Sequence, residues 1–321
     1  MISRVAENCF WLQRYMERAE STARLLTVTR SFLLDVRVPE LEQWEPVIVV
    51  SGEADRFHER FPEGASNDAE TVQAYLVWDE QCPVSLWSSI RWARENARTI
   101  REVISLEMWE AINALWHWLK GGPGRRLYVR DREAFYQRIK DSAALFQGIC
   151  HSTVRHDEPF DFMRLGMLLE RGAQTARLLD VKYHLLGPMQ VSETETPVES
   201  AQWMALLRSC SAEHSYFRRR QSGLTGPGVA AFLLKEEDFP RSVAHCLGRA
   251  LRSLRRIEET TERRDLPSSI QLQALGDGLR EKSMEEVLEE GLHAQLTATI
   301  DATARVCDAV HADYFNPTLP A

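Results

Sequence analysis

The 321-residue sequence has no apolar run approaching the roughly 20 residues that a membrane-spanning helix needs. Its opening stretch, MISRVAENCFWLQRYMERAE, is broken by charge where a secretory leader needs an apolar core. Both absences make the cytoplasm the expected location. The six cysteines Cys9, Cys82, Cys150, Cys210, Cys246 and Cys307 contain no C-x-x-C pair, so they read as reduced, mostly buried thiols rather than a disulfide framework. Positive charge is not in excess: 39 Lys and Arg against 47 Asp and Glu leave a formal charge of -8, which argues against a general polyanion binder. The run YFRRRQ from Tyr216 is a local basic patch that reads as surface, and nucleic acid is not an expected partner.

Signatures of familiar chemistry are also scarce. GGPGRR lacks the G-x-x-x-x-G-K-[ST] spacing that cradles phosphate, and no G-x-S-x-G elbow occurs. A dispersed Ser-His-Asp or Cys-His set leaves no linear signature and stays open. A di-metal carboxylate bundle needs paired Glu-x-x-His motifs, but only Glu290 and His293 have that spacing, with Asp308 and His311 as a loose echo. No metal and no cofactor are expected.

What is present is helical periodicity. Apolar residues, 44% of the chain, recur at three- and four-residue spacing, and WEPVIVVSG from Trp44 is the one short β-branched run of note. The spacing predicts an all-α protein, with breaks near Pro39, Gly64, Gly122, Pro159, Gly187, Pro227 and Pro267.

The chain also repeats itself. Glu17, Arg18, Thr22, Ala23, Arg24, Leu25, Leu26 and Val28 match Glu170, Arg171, Thr175, Ala176, Arg177, Leu178, Leu179 and Val181 at a constant offset of 153. CPVSLWSSIRWA from Cys82 aligns with FPRSVAHCLGRA from Phe239 at an offset of 157, and Cys150 stands 157 before Cys307. Three ordered matches predict two duplicated helical units, 1–157 and 158–321, packed as one globular domain about a pseudo-twofold axis.

At 100° per residue, the first repeated helix gathers Trp11, Leu12, Tyr15, Met16, Ala19, Leu26 and their neighbours into one apolar arc. Arg18 and Thr22 fall inside it, and Glu17 and Arg24 sit at its edge. An arginine on a core-facing stripe must find a partner, because an uncompensated buried charge costs about 3–5 kcal/mol. Two readings follow: a buried ion network that locks each unit, or arginine forks converging on a carboxylate or phosphate ligand. In SSIRWARENARTIREVIS, Arg91, Arg94, Arg98 and Arg101 form one stripe, with Glu95 and Glu102 placed for i,i+4 pairs. Trp92 and Ile100 fall on the opposite, apolar side, where Asn96 would need hydrogen-bond partners if buried.

The segments SRVAENCFWLQRYMERAESTARLL, RENARTIRE, LERGAQTARLLDVKYHLL, LLRSCSAEHSYFRR and FLLKEEDFPRSV together resemble the alpha-E domain family, an all-helical bacterial domain named for its Glu-Arg motif. The resemblance spans essentially the full chain. It marks Arg14, Glu17, Arg18, Arg24, Arg94, Glu95, Asn96, Arg98, Glu170, Arg171, Arg208, Arg241 and Ser242 as candidate site residues. It also implies a genetic setting with circularly permuted ATP-grasp amide ligases and transglutaminase-like proteins. The expected function is a helical accessory or co-catalytic partner of such a ligase, offering an Arg-rich site for a carboxylate, a phosphate or a docking face. The alternative is a stand-alone amide-forming transferase or hydrolase, with Glu17, Glu95 or Glu170 as acid or base.

Overall fold

The structure, a computed structural model, describes residues 3–35, 44–186, 197–219 and 223–316. The expected breaks near Pro39 and Gly187, and the end of the Tyr216 basic run, lie outside the described residues. Among those described there is no strand, and the chain is all-α. The helices run α1 (Ser3–Asp35), α2 (Glu45–Ser51), α3 (Ala54–Arg60), α4 (Ala69–Trp78), α5 (Leu86–Thr99), α6 (Leu106–Lys120), α7 (Pro123–Arg130) and α8 (Arg132–Thr153). They continue as α9 (Glu158–Leu186), α10 (Pro197–Ser209), α11 (Glu213–Arg219), α12 (Gly226–Lys235), α13 (Val243–Thr261), α14 (Pro267–Glu281), α15 (Met284–Glu290) and α16 (Leu292–Val310).

The two longest helices, α1 and α9, pack along one another at the centre, with α2, α5, α8, α10, α12, α13 and α16 packed directly against them. α5 and α8 flank α1, while α13 and α16 flank α9; α10 crosses to α1 and α2 crosses to α9. The expected boundary at 157 falls in the short connection between α8 and α9.

Local chemistry explains individual helix starts. Ser85 caps α5 by accepting from Ser88 N at 3.1 Å, and its hydroxyl donates to the carbonyl of Asp79. Ser242 caps α13 in the same way, accepting from His245 N at 3.1 Å and donating to the carbonyl of Glu236. The Pro-x-Ser match seen at an offset of 157 is thus a shared helix start. The β-branched run at Trp44 forms α2 rather than a strand. Proline sits in its first turn, Gly52 closes it at φ 73°, and Val47, Ile48 and Val50 are buried in the core. Packing overrides a weak local preference there.

Gly166 sets how closely the central pair can approach. A Cβ at this position would lie 2.2 Å from the Phe10 carbonyl oxygen and 2.9 Å from its carbon, so α9 meets the backbone of α1 directly. Gly166→Ala is expected to push the pair apart and destabilise the fold by about 1–3 kcal/mol, the usual cost of overpacking. Thermal unfolding of the variant measures this, and an unchanged melting temperature would show that the two helices separate without penalty.

Candidate functional site

The α1–α9 interface buries a crossed ion network. Residues 14 and 18 lie one helical turn apart on α1 and both aim at Glu170 on α9. Arg18 donates from Nε to Glu170 Oε1 at 2.7 Å and from Nη2 to Oε2 at 2.9 Å. Arg14 adds Nε and Nη2 contacts to Oε2 at 3.0 and 2.9 Å, and Gln174 donates to Oε1 at 3.1 Å. In the reverse direction, Arg171 of α9 grips Glu17 of α1 through Nε to Oε1 at 2.9 Å and Nη2 to Oε2 at 2.7 Å. Each Glu-Arg pair of one helix therefore serves the pair of the other.

Glu17 has further partners. Arg241, in the turn before α13, donates to Glu17 Oε1 at 3.0 Å and to Glu20 Oε1 at 2.6 Å. Its backbone carbonyl accepts from the Thr175 hydroxyl at 2.8 Å, which ties that turn to α9. Arg24 donates to Glu20 at 2.5 Å, and Gln147 of α8 donates to Glu17 Oε2 at 3.0 Å. Five guanidinium groups thus meet three carboxylates, leaving two positive charges in excess. Arg177, half-buried beside Gly52, adds another cation, and burial depresses its pKa.

The electrostatics follow from this geometry. Burial pushes the Glu17 carboxyl up, but Arg171 and Arg241 together outweigh it and hold the group at about 2. Glu170 shows the same contest: burial raises it, while Arg18 and Arg14 win and hold it well below the usual carboxylate range. Both are acceptor-only carboxylates at neutral pH.

Several expectations need correction. Glu17 was expected at the edge of the apolar arc beside Arg24, yet it is 0% exposed and Arg24 pairs with Glu20 instead. The reason is that α1 is covered by α5, α8, α9 and α10 rather than on one side alone. On α5 the expected i,i+4 pairs are replaced. Arg94 and Arg98 both bind Glu95, at 2.8 and 2.9 Å, Arg91 faces Glu80 at 3.7 Å, and Arg101 lies over the Trp109 ring. Trp92, expected on the apolar side, is 46% exposed. Asn96 satisfies itself by donating to the Trp92 carbonyl at 2.7 Å.

Of the sequence-marked residues, Arg14, Glu17, Arg18, Arg24, Glu170, Arg171 and Arg241 come together in the network. Glu95, Arg94, Asn96 and Arg98 stay on α5, and Arg94 also donates to Asn113 at 2.7 Å. Arg208 pairs with Glu213 at 3.0 Å in an exposed position, and Ser242 is a helix cap. His293, from the lone Glu-x-x-His spacing, sits 2.6 Å from Asp180. Among the described residues no three His, Cys, Asp or Glu side chains gather as metal ligands, and no helix is long and apolar enough to cross a membrane. Sequence reasoning missed Glu20 and Gln147. The i,i+3 spacing from Glu17 was a signal for Glu20; nothing in the sequence marked Gln147.

An all-α protein whose two central helices exchange Glu-Arg pairs is a structural class in itself. The chain belongs to the Alpha-E family, whose model, described as a predicted alpha-helical domain with a conserved ER motif, matches residues 1–315. It is similar to uncharacterized proteins of Mycobacterium bovis and Mycobacterium tuberculosis, at 26% identity over 93% of this chain and 36% of theirs. The chain therefore spans about a third of the length of these relatives. No solved structure matches it.

Proposed function

We propose that the chain is a cytoplasmic helical accessory module of an amide-forming system, working beside an ATP-grasp ligase of the circularly permuted type and a transglutaminase-like protein. In this reading its two halves are copies of one ancestral unit, and it holds an anionic substrate or docks the ligase rather than moving protons itself. The observation that carries the reading is the locking of Glu17 and Glu170. A general acid or base works best with a pKa near the operating pH, whereas Glu17 is held at about 2 by two guanidinium groups. Glu95, the third candidate, is bound by both Arg94 and Arg98. The two positive charges in excess in the network support an anionic occupant at its edge. That the curated relatives extend well beyond the matched region supports a module that works joined to other activities.

The test is ATP-dependent amide formation by the neighbouring ligase, assayed with and without the purified chain, together with co-purification of the two from the native host. The expected result is a stable complex and product formation that depends on the chain. A ligase equally active alone, or substrate turnover by the isolated chain, would overturn the reading.

A further inference from the structure

A cavity of about 210 Å³ opens where α1, α8 and α9 meet, beside the ion network. Its lining includes Gln13 from α1, Gln147 from α8, and Phe160, Met163 and Arg164 from α9. Gln147 belongs to both places, since the same side chain that lines the cavity donates to Glu17 and accepts from Arg171 at 3.3 Å. An occupant would therefore lie beside the network, with Gln147 between it and Glu17, Glu20 and Arg171.

Two of the lining groups lack something. Gln13 is only 2% exposed, and its Oε1 is buried with no hydrogen-bond partner. Buried acceptors are normally satisfied, so this one marks a place for a donor. Arg164 has no hydrogen-bond or ion-pair partner among the described residues. Asp161, one turn away on the same helix, acts on it through charge alone and pairs with Arg256 at 3.3 Å. Burial, and then the charges of Arg249, Arg256 and Arg252, outweigh the Asp161 carboxylate and depress the Arg164 pKa.

Much of the remaining lining is aromatic or thioether. The His156 ring stacks on Phe160 at 4.0 Å, with its Nε2 2.8 Å from the His151 carbonyl. Met163 and Met167 complete that side. The volume falls below the about 300–1,000 Å³ of pockets for drug-sized ligands, and so suits a molecule of single-residue size. Burial pushes the Cys150 thiol up to about 11, so the cavity carries no ready thiolate.

The geometry points to a binding site for the C-terminal residue of a short peptide or an N-acyl amino acid. The carboxylate meets Arg164, the amide N–H meets Gln13 Oε1, and an apolar side chain lies against Phe160, Met163 and Met167. A neutral N–H suits this place better than an ammonium, because Arg164 is already under the charges of Arg249, Arg252 and Arg256. The inference deepens the accessory-module reading and rests on it for the view that the ligand is held rather than converted.

The experiment is isothermal titration of the full chain with N-acetyl-L-leucine. The comparison ligands are 4-methylpentanoate, which lacks the N–H, N-acetyl-L-leucinamide, which lacks the carboxylate, free L-leucine, and inorganic phosphate. A single saturable site is expected for N-acetyl-L-leucine, with each comparison ligand about tenfold or more weaker, the usual worth of a charge-assisted or buried hydrogen bond. Arg164→Met should erase the preference for the carboxylate, and Gln13→Leu the preference for the N–H, with helicity retained in circular dichroism. The ligand series on the unaltered chain decides the matter even if Gln13→Leu fails to fold. No saturation at millimolar concentration, or phosphate or L-leucine binding as tightly as N-acetyl-L-leucine, would overturn the proposal. Binding by the chain without any effect on the ligase would sink the module reading alone, and a chain-dependent ligase with an unresponsive cavity would sink the pocket alone.

Discussion

Glu17→Ala is expected to cost about 3–5 kcal/mol of folding stability, the range found when one partner of a buried ion pair is removed. Domains of this kind are typically stable by only about 5–15 kcal/mol, so the variant should unfold at a much lower denaturant concentration. The size of the effect comes from what is left behind. Arg171 and Arg241, with side chains 10% and 14% exposed, would both lose the carboxylate that neutralises them, while Glu20 still answers only part of the need. Gln147 would lose its closer acceptor as well, keeping only Glu20 at 3.5 Å. Arg171→Ala should be costly for the mirrored reason, since it strands Glu17 with one guanidinium instead of two. The double variant should cost less than the sum of the singles, because removing both partners leaves less uncompensated charge. Guanidinium denaturation followed by circular dichroism measures all three. A loss below about 1 kcal/mol for Glu17→Ala, the worth of an exposed pair, would mean the network is hydrated and dispensable.

The fold class was legible in the sequence because helical periodicity is a local property. The partners in the network were not. Spacing along α1 places Arg14 and Arg18 on one face and Glu17 and Glu20 on another, but a helical azimuth does not say which helix lies opposite. The repeat at an offset of 153 paired Glu17 with Glu170 as equivalents, while the crossing that sends Arg171 to Glu17 and Arg18 to Glu170 exists only once the two helices meet. The apolar arc misjudged Glu17 for a related reason: it assumes a helix with one wet side, and α1 has almost none along its central turns. Trp92 failed in the opposite sense, since α5 exposes a ring that periodicity assigned to the core. The cavity at Gln13 and Arg164 left no trace in the sequence, because an empty space and an unmet hydrogen bond are properties of packing.

Acid should dismantle this network in a defined window. The folded-state pKa of Glu17 is depressed from 4.5 to about 2, so its contribution to stability is fully present above about 4.5 and is lost as the pH falls toward 2. That difference corresponds to a contribution on the order of 3 kcal/mol, and Glu170, depressed in the same direction, adds to it. Asp161 works the other way, because burial raises its pKa and acidification relieves rather than costs there. The two central carboxylates outweigh it, and the net expectation is a steep loss of stability below pH 4.5 with little change between 5 and 7 from these groups. Glu17→Gln isolates the main contribution, since glutamine keeps the shape but cannot titrate. Denaturation midpoints taken from neutral pH down to about 2.5 should show the variant well below the unaltered chain at neutrality, with the gap narrowing steadily as the pH falls. Two parallel curves would show that Glu17 titrates alike in the folded and unfolded states, and that Arg171 and Arg241 do not hold its charge in place.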